Sequence, residues 1–458
     1  MRRGTISSLP SASARPSKRL MRGRALLALL AVLPGCSTVN SAKESLMGGG
    51  TQAGTPGFVP GFLGGVVADE PRAALAGREV LSAGGSAADA AVAVALTLTV
   101  TLPSRAGLGG GGACIAYSPD VKSANRGVPE AVIFTPVAPA NPGAKADRPA
   151  AVPMMARGLF LLHARYGTRP FETMVSSAEQ MARFGVPVSR ALVKDIALVS
   201  GPLLTDPGAR AIFSQNGVPL TEGQMLRQPD LGSTLSQIRT AGIGDMYQGA
   251  LARRIEQASA QIGGPIQYAD LRGALPKLAA PLVRSFHTDS VAFLPGDGGV
   301  ASDAAFDRLA AGERPAVGGS ATPASTSFVT MDRAGNAVAC ALTMDNLFGT
   351  GRVMPGLGIL AAASPSAVPP PLLSAGLVWN DTNKAFRAAA GGSGQAAAPL
   401  AVAVALIDTL KTNRPMSAPV PDPGRANVIA CGRYLPGETS ECGWANDPRE
   451  AGLALGAN

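Results

Sequence analysis

The sequence predicts an α+β protein, because helical and strand-like patterns both recur along the chain. Two strand-like runs flank a tight turn at Gly335-Asn336, inside the segment Ser325–Gly351. Ala87–Leu96 is apolar nearly all round, which is the pattern of a buried helix. Ala113–Tyr117 has the pattern of a core strand, and Ala131–Phe134 is its expected partner.

The N-terminal region predicts two successive helices. Arg72–Leu81 is the first, and Gly84-Gly85 ends it. Ser86 offers an N-cap for the second, and Asp89 places a negative charge in its first turn. Thr97–Leu102 alternates threonine with leucine or valine, so its period alone favours a strand there.

Later segments differ in character. Helix-rich structure is expected at Gly158–Arg183 and Thr234–Ile262. Gly, Ala, Pro and Ser dominate Pro295–Ser325, where large apolar residues are few. Pro365–Pro371 and Pro415–Pro423 are proline-rich and predict loops.

The formal charge of +9 is concentrated at the N-terminus. Seven Lys and Arg residues precede residue 36 with no acid among them, which leaves 33 basic against 31 acidic residues afterwards. The rest of the chain therefore lacks the basic stripe that a nucleic-acid backbone requires. This charge distribution argues against nucleic acid as a partner.

Residues 1–35 have the pattern of an export signal. Arg22 and Arg24 precede Ala25–Leu33, an apolar run too short to be a stable membrane anchor. The run leads into Leu-Pro-Gly-Cys, which is similar to a bacterial lipoprotein cleavage site, so the Cys36 thiol would receive lipid. Residues 36–60 are rich in Gly, Ser, Thr and Pro and predict a flexible tether.

Two alternatives stay open for this leader. It could be an ordinary signal peptide with an incidental Cys36, and translation could begin at Met21. In each case we expect an exported, periplasmic protein. Lipid on Cys36 would additionally hold it at a membrane.

The other cysteines fall into two groups. In an oxidising compartment Cys431 and Cys442 could close a short loop, worth about 2–3 kcal/mol. Cys114 and Cys340 lie in apolar strand-like runs and are expected as buried small hydrophobic residues. No Cys or His spacing indicates a metal site, and with two histidines in the chain a Ser-His-Asp triad is not expected.

The segment Ser325–Gly351 contains the candidate catalytic hydroxyl residues. Hydroxyl residues open its first strand-like run, and Thr343 closes the second, so the two hydroxyls would face each other across a hairpin. That arrangement suits an enzyme that cuts its own chain and then uses the new N-terminus. The plain alternative is that Ser325 and Thr326 end a Pro/Ser/Ala linker and that Thr343 is an ordinary strand residue.

This segment resembles the start of the small subunit of the γ-glutamyltransferases, a family of N-terminal-nucleophile hydrolases. The phrases GGSAADAAVAVA and PSRAGLGGGG, within Gly64–Gly112, are similar to the opening of that family's large subunit. The resemblance implies a four-layer α/β/β/α sandwich of two antiparallel sheets. It also favours a helix that continues through Thr97–Leu102, so that segment stays open between strand and helix. It also implies a large-subunit-like part at 61–324, a small-subunit-like part at 325–458, and no metal or organic cofactor.

The resemblance further implies catalytic roles, with the turn residues as the reference point. Ser325 corresponds to the nucleophile, Thr326 to the threonine that supports the α-amine, and Thr343 to the threonine that hydrogen-bonds the nucleophile. Gly391 and Gly392 correspond to the glycine pair of the oxyanion hole, although by themselves they could also form a plain turn.

Substrate-binding positions are only partly kept. Asp345 stands where the family has an asparagine that helps to bind the amine, Ser374 is the survivor of a serine pair, and Ser393 continues the glycine match. Thr135 replaces an arginine that binds the donor carboxylate in the family. Ala361–Ala367 corresponds to the loop whose carboxylate holds the donor α-amine in the family, but it contains no acid. A γ-glutamyl or other small amide remains the expected substrate.

Two competing hypotheses remain from the sequence. The chain could be a degenerate relative that is not cut and acts as a periplasmic structural or ligand-binding lipoprotein. Alternatively, with a one-residue slip in the alignment, Thr326 would be the nucleophile in place of Ser325.

Overall fold

The computed structural model describes residues 62–123, 125–141, 146–313, 315–316, 322–417 and 420–457. The predicted export signal at 1–35, the tether at 36–60 and Cys36 lie outside the described residues. Within the described ranges, every helix is too short or too polar to cross a membrane.

Helices dominate the first two thirds of the described chain. They are α1 Pro71–Ser82, α2 Ala87–Thr101, α3 Met155–Tyr166, α4 Phe171–Phe184, α5 Arg190–Leu203, α6 Pro207–Phe213, α7 Pro229–Ala241, α8 Ile243–Gln248, α9 Ala250–Gln261, α10 Tyr268–Gly273, α11 Asp297–Ala310 and α12 Ala398–Thr412.

Strands occur throughout and dominate the last third. They are β1 Gly64–Ala68, β2 Gly111–Tyr117, β3 Glu130–Phe134, β4 Val186–Pro187, β5 Ser214–Gln215, β6 Val218–Pro219, β7 Met225–Leu226, β8 Lys277–Ala279, β9 Leu282–Phe286, β10 Asp289–Phe293, β11 Ser325–Asp332, β12 Ala337–Thr343, β13 Val353–Met354, β14 Ile359–Leu360, β15 Ser374–Asn380, β16 Ala385–Ser393, β17 Arg425–Leu435, β18 Cys442–Ala445 and β19 Leu453–Ala457.

Two large sheets organise these strands in the described part of the chain. One has the order β19-β1-β11-β12-β2-β3-β8 and the other β18-β17-β16-β15-β10-β9. Neighbouring strands within both sheets pair antiparallel. Because β1 lies between β19 and β11, the segments before and after residue 325 share one sheet.

Apolar side chains join four layers. One cluster packs helices such as α2 on the first sheet, a second fills the space between the sheets, and a third packs α11 and α12 on the other sheet. Alternate residues of β11 divide between the first two, with Phe328 facing the helices and Val329 facing the second sheet. The predicted α+β, four-layer fold is therefore confirmed.

The helix α2 shows where periodicity alone misleads. Ser86 and Asp89 form the capping box at its start, as the sequence predicts. The helix then continues through Thr101, so the strand favoured by the period of Thr97–Leu102 is wrong. Thr99 and Thr101 donate their hydroxyls to carbonyls within the helix, which satisfies these buried polar groups.

The two disulfides in the described part of the chain join cysteines that lie directly opposite each other on neighbouring antiparallel strands. Cys431 of β17 is bonded to Cys442 of β18, as predicted. Cys114 of β2 is bonded to Cys340 of β12, although the sequence pointed to buried, unpaired side chains. The two residues are 226 positions apart, so their pairing becomes visible only through the strand register.

A further helix lies where the sequence offered little support. The helix α11 occupies Asp297–Ala310, within the segment that is poor in large apolar residues. It packs through Phe306 and small side chains, and Gly298 and Gly299 approach main-chain atoms of Leu373 and Leu294 too closely for any Cβ. Small residues here therefore allow close packing.

Candidate active site

Ser325 is the first residue of β11 and lies at one end of the first sheet. Strand pairing places it opposite Thr343, the last residue of β12, as the hairpin pattern predicted. Ser325 and Thr343 are each 1% exposed and Ala324 is 2% exposed, so the peptide bond between Ala324 and Ser325 is buried. The next residues of β11 run inward between the helices and the second sheet.

The carbonyl group of this peptide bond is held by a short chain of hydrogen bonds. The Thr343 hydroxyl donates to the Ala324 carbonyl oxygen across 2.8 Å. The backbone N–H of Asp345 donates in turn to Thr343 Oγ1 across 2.8 Å. On the other side, the Ala324 N–H donates to Gln395 Oε1 across 2.7 Å. These contacts fix the orientation of the carbonyl, and the Thr343 hydroxyl is placed to stabilise negative charge on its oxygen.

The hydroxyl of Ser325 accepts a hydrogen bond from the N–H of Gly394, at an N–O distance of 3.2 Å. Gly394 has a φ of +105°. A Cβ at this position would lie 2.2 Å from the Pro423 carbonyl oxygen. Glycine is therefore required by both the backbone conformation and the available space. The sequence pattern did not single out Gly394.

Gly391 and Gly392, the predicted oxyanion pair, lie within β16, which pairs with strands on both sides. A Cβ on Gly391 would be 3.1 Å from the carbonyl oxygens of Phe328 and Cys340 in the facing sheet. A Cβ on Gly392 would be 2.5 Å from Val402 of α12. Both glycines thus permit close approach of neighbouring layers, and their oxyanion role stays a prediction.

Asp69 is a buried carboxylate that the sequence motifs did not reveal. It follows β1 directly, and its Oδ2 accepts from the Thr326 hydroxyl at 2.8 Å, from the Ser327 N–H at 3.0 Å and from the Ser393 hydroxyl at 3.3 Å. Its Oδ1 accepts from Asn427 Nδ2 at 2.7 Å. Two of the predicted site residues, Thr326 and Ser393, are thus joined through one side chain.

Asp345, a predicted binding residue, has the opposite surroundings. It is 4% exposed, and neither carboxylate oxygen has a hydrogen-bond partner among the described residues. Burial raises the pKa of Asp345 to about 7. Its φ of +60° is uncommon for a residue with a side chain, although aspartate tolerates it better than most.

The remaining predicted substrate positions lie on three separate segments. The Ser374 hydroxyl contacts the carbonyls of Gly298 and Leu372 at 3.4 and 3.3 Å. Thr135 follows β3 and is half-buried. Ala361–Ala363 is buried and bonds through its backbone to neighbouring segments, including Met344.

A cavity of about 360 Å³ lies beside the bend that follows Asp345. Its lining includes Asn346, Phe348, Thr350 and Arg148, and Arg148 donates to the Thr350 carbonyl at 3.0 Å. The cavity therefore combines an apolar wall with a cation and several peptide groups. A larger cavity, of about 790 Å³, is lined by parts of α6, α7 and β13.

Neither histidine forms a triad with Ser325. His163 lies 3.3 Å from Asp89 and 2.6 Å from the Arg169 carbonyl oxygen, and His287 lies in the turn between β9 and β10. Within the described ranges, no His, Cys, Asp and Glu side chains group closely enough to hold a metal ion.

Comparison with known proteins links this chain to one family. Residues 73–306 match the sequence model of the family described as gamma-glutamyltranspeptidase. Glutathione hydrolase 3 of Arabidopsis thaliana is 34% identical over 216 residues, which are 45% of this chain and 33% of that protein. The acylase ACY 1 proenzyme of Pseudomonas sp. (strain SE83) is 30% identical over 243 residues, which are 49% of this chain and 43% of that protein.

A solved structure supports the architecture over nearly the whole chain. Cephalosporin acylase from Bacillus halodurans superimposes with a TM-score of 0.70, covering 87% of this chain and 96% of that one at 18% sequence identity. That likeness concerns the fold. The sequence match with the curated relatives spans less than half of their length, and the match to the family model ends before Ser325.

Proposed function

Because the chain belongs to the gamma-glutamyltranspeptidase family, we propose that it cuts its own peptide bond between Ala324 and Ser325 and then uses Ser325 for acyl transfer or amide hydrolysis. The observation that carries this proposal is the hydrogen bond from the Thr343 hydroxyl to the Ala324 carbonyl oxygen. It supplies a donor at the oxygen on which negative charge develops when that carbonyl is attacked.

The cleavage step involves Ala324, Ser325 and one water molecule. Ser325 Oγ attacks the Ala324 carbonyl carbon, and the bond from that carbon to the Ser325 nitrogen breaks. The proton lost by the hydroxyl ends on the leaving amine, which leaves an ester between Ala324 and Ser325. Water then hydrolyses the ester, giving a carboxylate at Ala324 and a free α-amine at Ser325.

The freed amine would serve as the general base for substrate turnover. An unperturbed α-amine has a pKa of about 7.7–8, close to the pH at which base catalysis is efficient. Nucleophile and base then belong to one residue, so the reaction needs no histidine. The acyl group of an amide substrate passes to Ser325 Oγ and afterwards to water or to an acceptor amine.

The substrate class we propose is a γ-glutamyl or related amide. Support comes from relatives that are named as a glutathione hydrolase and an acylase. A γ-glutamyl donor carries a free α-carboxylate, and Thr135 in place of the family's arginine removes a bidentate contact with that group. Within this class we therefore favour related amides without a free α-carboxylate. The cavity lined by Arg148 and Thr350 is our candidate for the acyl-binding space.

Mass spectrometry of the reduced, denatured protein tests the cleavage. We expect two fragments that meet between Ala324 and Ser325, and Ser325→Ala should yield one uncut chain. Thr330→Val is the control, because Thr330 lies on the same strand and donates its hydroxyl to the Ala87 carbonyl, away from the site. Normal processing of Ser325→Ala would refute the assignment, and a fragment beginning at Thr326 would identify that residue instead.

The second hypothesis is a chain that is never cut. It is favoured by Thr135 and by Ala361–Ala363, where the family's ionic substrate contacts are replaced by a neutral side chain and a buried apolar segment. A single mass after long incubation at neutral pH, with no product from γ-glutamyl-p-nitroanilide or simple acyl amides, would establish it. The search would then turn to ligands.

We also propose export, with lipid on Cys36. The leader sequence supports it, and two disulfides suit an oxidising compartment. Metabolic labelling with a radioactive fatty acid is expected to mark the full-length protein and not Cys36→Ser. Release of unlabelled wild-type protein into the soluble periplasmic fraction would point to an ordinary signal peptide.

A further inference from the structure

We propose that Asp69 is a positioning residue that sets Ser325 against the N–H of Gly394. The inference rests on the proposed function, since it concerns the geometry of the same nucleophile. Asp69 touches neither Ser325 nor Gly394 in any described hydrogen bond. It binds the residue next to each of them.

The contacts of Asp69 join two strands from different sheets. On β11 it accepts hydrogen bonds from Thr326 and Ser327, the two residues after Ser325. On β16 it accepts one from Ser393, the residue before Gly394. One carboxylate therefore fixes the separation between the segment that carries the nucleophilic hydroxyl and the segment that carries its N–H donor.

A third strand strengthens this connection. Asn427 of β17 donates to Asp69 Oδ1 at 2.7 Å. The same amide group donates to the carbonyl oxygen of Ser327 at 2.9 Å and to its hydroxyl at 3.0 Å. Thus β17 is hydrogen-bonded both to the carboxylate and to β11. Asp69, its donors on β11 and β16, and Asn427 form one hydrogen-bonded cluster at the end of the sandwich.

The electrostatics explain why a carboxylate suits this position. Asp69 is 1% exposed, and burial raises its pKa, with Glu450 adding to that rise. Hydrogen bonds from Ser327 and Asn427, together with the charge of Arg105, oppose that rise, and the pKa of Asp69 stays above its usual value. The side chain acts as acceptor in all four contacts, which is the arrangement that an ionised carboxylate satisfies best.

Asparagine at residue 69 would have nearly the same shape as aspartate but would disturb these hydrogen bonds. Its side-chain nitrogen would face either the Asn427 amide or the donors Thr326 and Ser327, so at least one donor would meet another donor. Displacing a reacting group by about 1 Å can reduce a rate about 100-fold. We therefore expect the Asp69→Asn variant to process Ala324–Ser325 about 100-fold more slowly, and to lower kcat with little change in KM.

The matched control is Asp332→Asn. Asp332 lies at the other end of β11, is 6% exposed, and also accepts four hydrogen bonds, from Ala87, Ala334 and two groups of Asn336. The Asp332→Asn substitution disturbs a buried acceptor of the same strand, at the end opposite Ser325. Comparison of the two variants separates positioning of the site from a general loss of fold stability.

Two measurements on the full-length chain decide the proposal. The first is the time course of cleavage between Ala324 and Ser325. The second is hydrogen–deuterium exchange of the peptides covering 324–328 and 392–396, recorded in the Ser325→Ala background so that every sample stays uncut. Asp69 has no described hydrogen bond to Ser325, so this background keeps its contacts.

We expect Asp69→Asn to raise exchange at both segments by about tenfold or more and to slow cleavage far more than Asp332→Asn does. Unchanged exchange at these segments, equal slowing in both variants, or normal cleavage despite raised exchange would overturn the proposal. A wild-type chain that is never cut would refute the proposed function. The exchange data would then still decide whether Asp69 holds the two strands together.

Discussion

Asp69 and Asp345 are both buried carboxylates near Ser325, and their surroundings are opposite. Asp69 accepts four hydrogen bonds from three strands, whereas Asp345 has no partner for either oxygen among the described residues. Burial raises the pKa of both. Burial therefore does not distinguish the two groups, and the neighbouring donors decide what each one contributes.

The difference separates a structural role from a chemical one. A carboxylate surrounded by donors stabilises the arrangement of those donors, and removing it leaves them unsatisfied. A carboxylate without donors is costly when ionised, so its charge state responds to pH near neutrality. Substitutions at and beside the two carboxylates test whether their roles differ in this way.

The largest effect is expected for Asp69→Ala. The substitution leaves the buried donors of Thr326, Ser327 and Asn427 without their acceptor, and each unsatisfied buried donor typically costs about 1–3 kcal/mol. Urea unfolding at pH 7 measures the change in the free energy of unfolding. A loss below about 1 kcal/mol would show that water or nearby groups replace the carboxylate, and that Asp69 resembles Asp345 more than its contacts indicate.

Asp345→Asn is expected to act in the opposite direction. The pKa of Asp345 in the folded protein is about 7, above its usual value of 3.8, so folding favours the protonated form. That contribution to stability is fully present below about pH 4 and is lost as the pH rises through 7. The neutral variant should therefore be more stable than the wild type at pH 8, by at most about 4 kcal/mol.

Thermal unfolding of the two proteins at pH 4 and pH 8 checks this expectation. Their stabilities should be similar at pH 4 and diverge with rising pH. Asparagine also tolerates a positive φ, so the substitution suits the backbone at this position. A variant that is less stable than the wild type at pH 8 would mean that Asp345 is ionised and has a favourable partner.

The smallest change in stability is expected for Thr343→Val. This substitution tests the contact between the Thr343 hydroxyl and the backbone N–H of Asp345. It removes the donor to the Ala324 carbonyl and the acceptor of the Asp345 N–H, at a cost of about 1–2 kcal/mol. Cleavage should slow by about 100-fold, as expected for the loss of one oxyanion donor. Thr343→Ser keeps the hydroxyl and should cleave within a few-fold of the wild type. Equal rates in both variants would remove Thr343 from the cleavage step.

The local sequence pattern was sufficient to predict those parts of the fold and site that depend on residues close together in the sequence. The tight turn at Gly335-Asn336 was enough to predict how β11 and β12 pair, with Ser325 opposite Thr343. The N-cap at Ser86 likewise followed from the residues beside it. The four-layer architecture came from the family resemblance and is confirmed by the packing of the sheets and helices.

Contacts between distant segments could not be predicted in this way. Asp69 meets Asn427 only because β1 and β17 converge at the end of the two sheets, and their separation along the chain hides that contact. Gly394 looked like one more glycine in a small-residue run. Its positive φ, its contact with Ser325 and its close approach to Pro423 involve segments that lie far apart in the sequence.

The disulfide between Cys114 and Cys340 bears on what a matured molecule would be. One cysteine precedes the proposed cut and the other follows it, while Cys431 and Cys442 both follow it. Hydrolysis between Ala324 and Ser325 would therefore yield a single covalent molecule, heavier than the precursor by one water. On a gel run without thiol, precursor and product would both appear as one chain, so a fully processed preparation could be mistaken for an inert one.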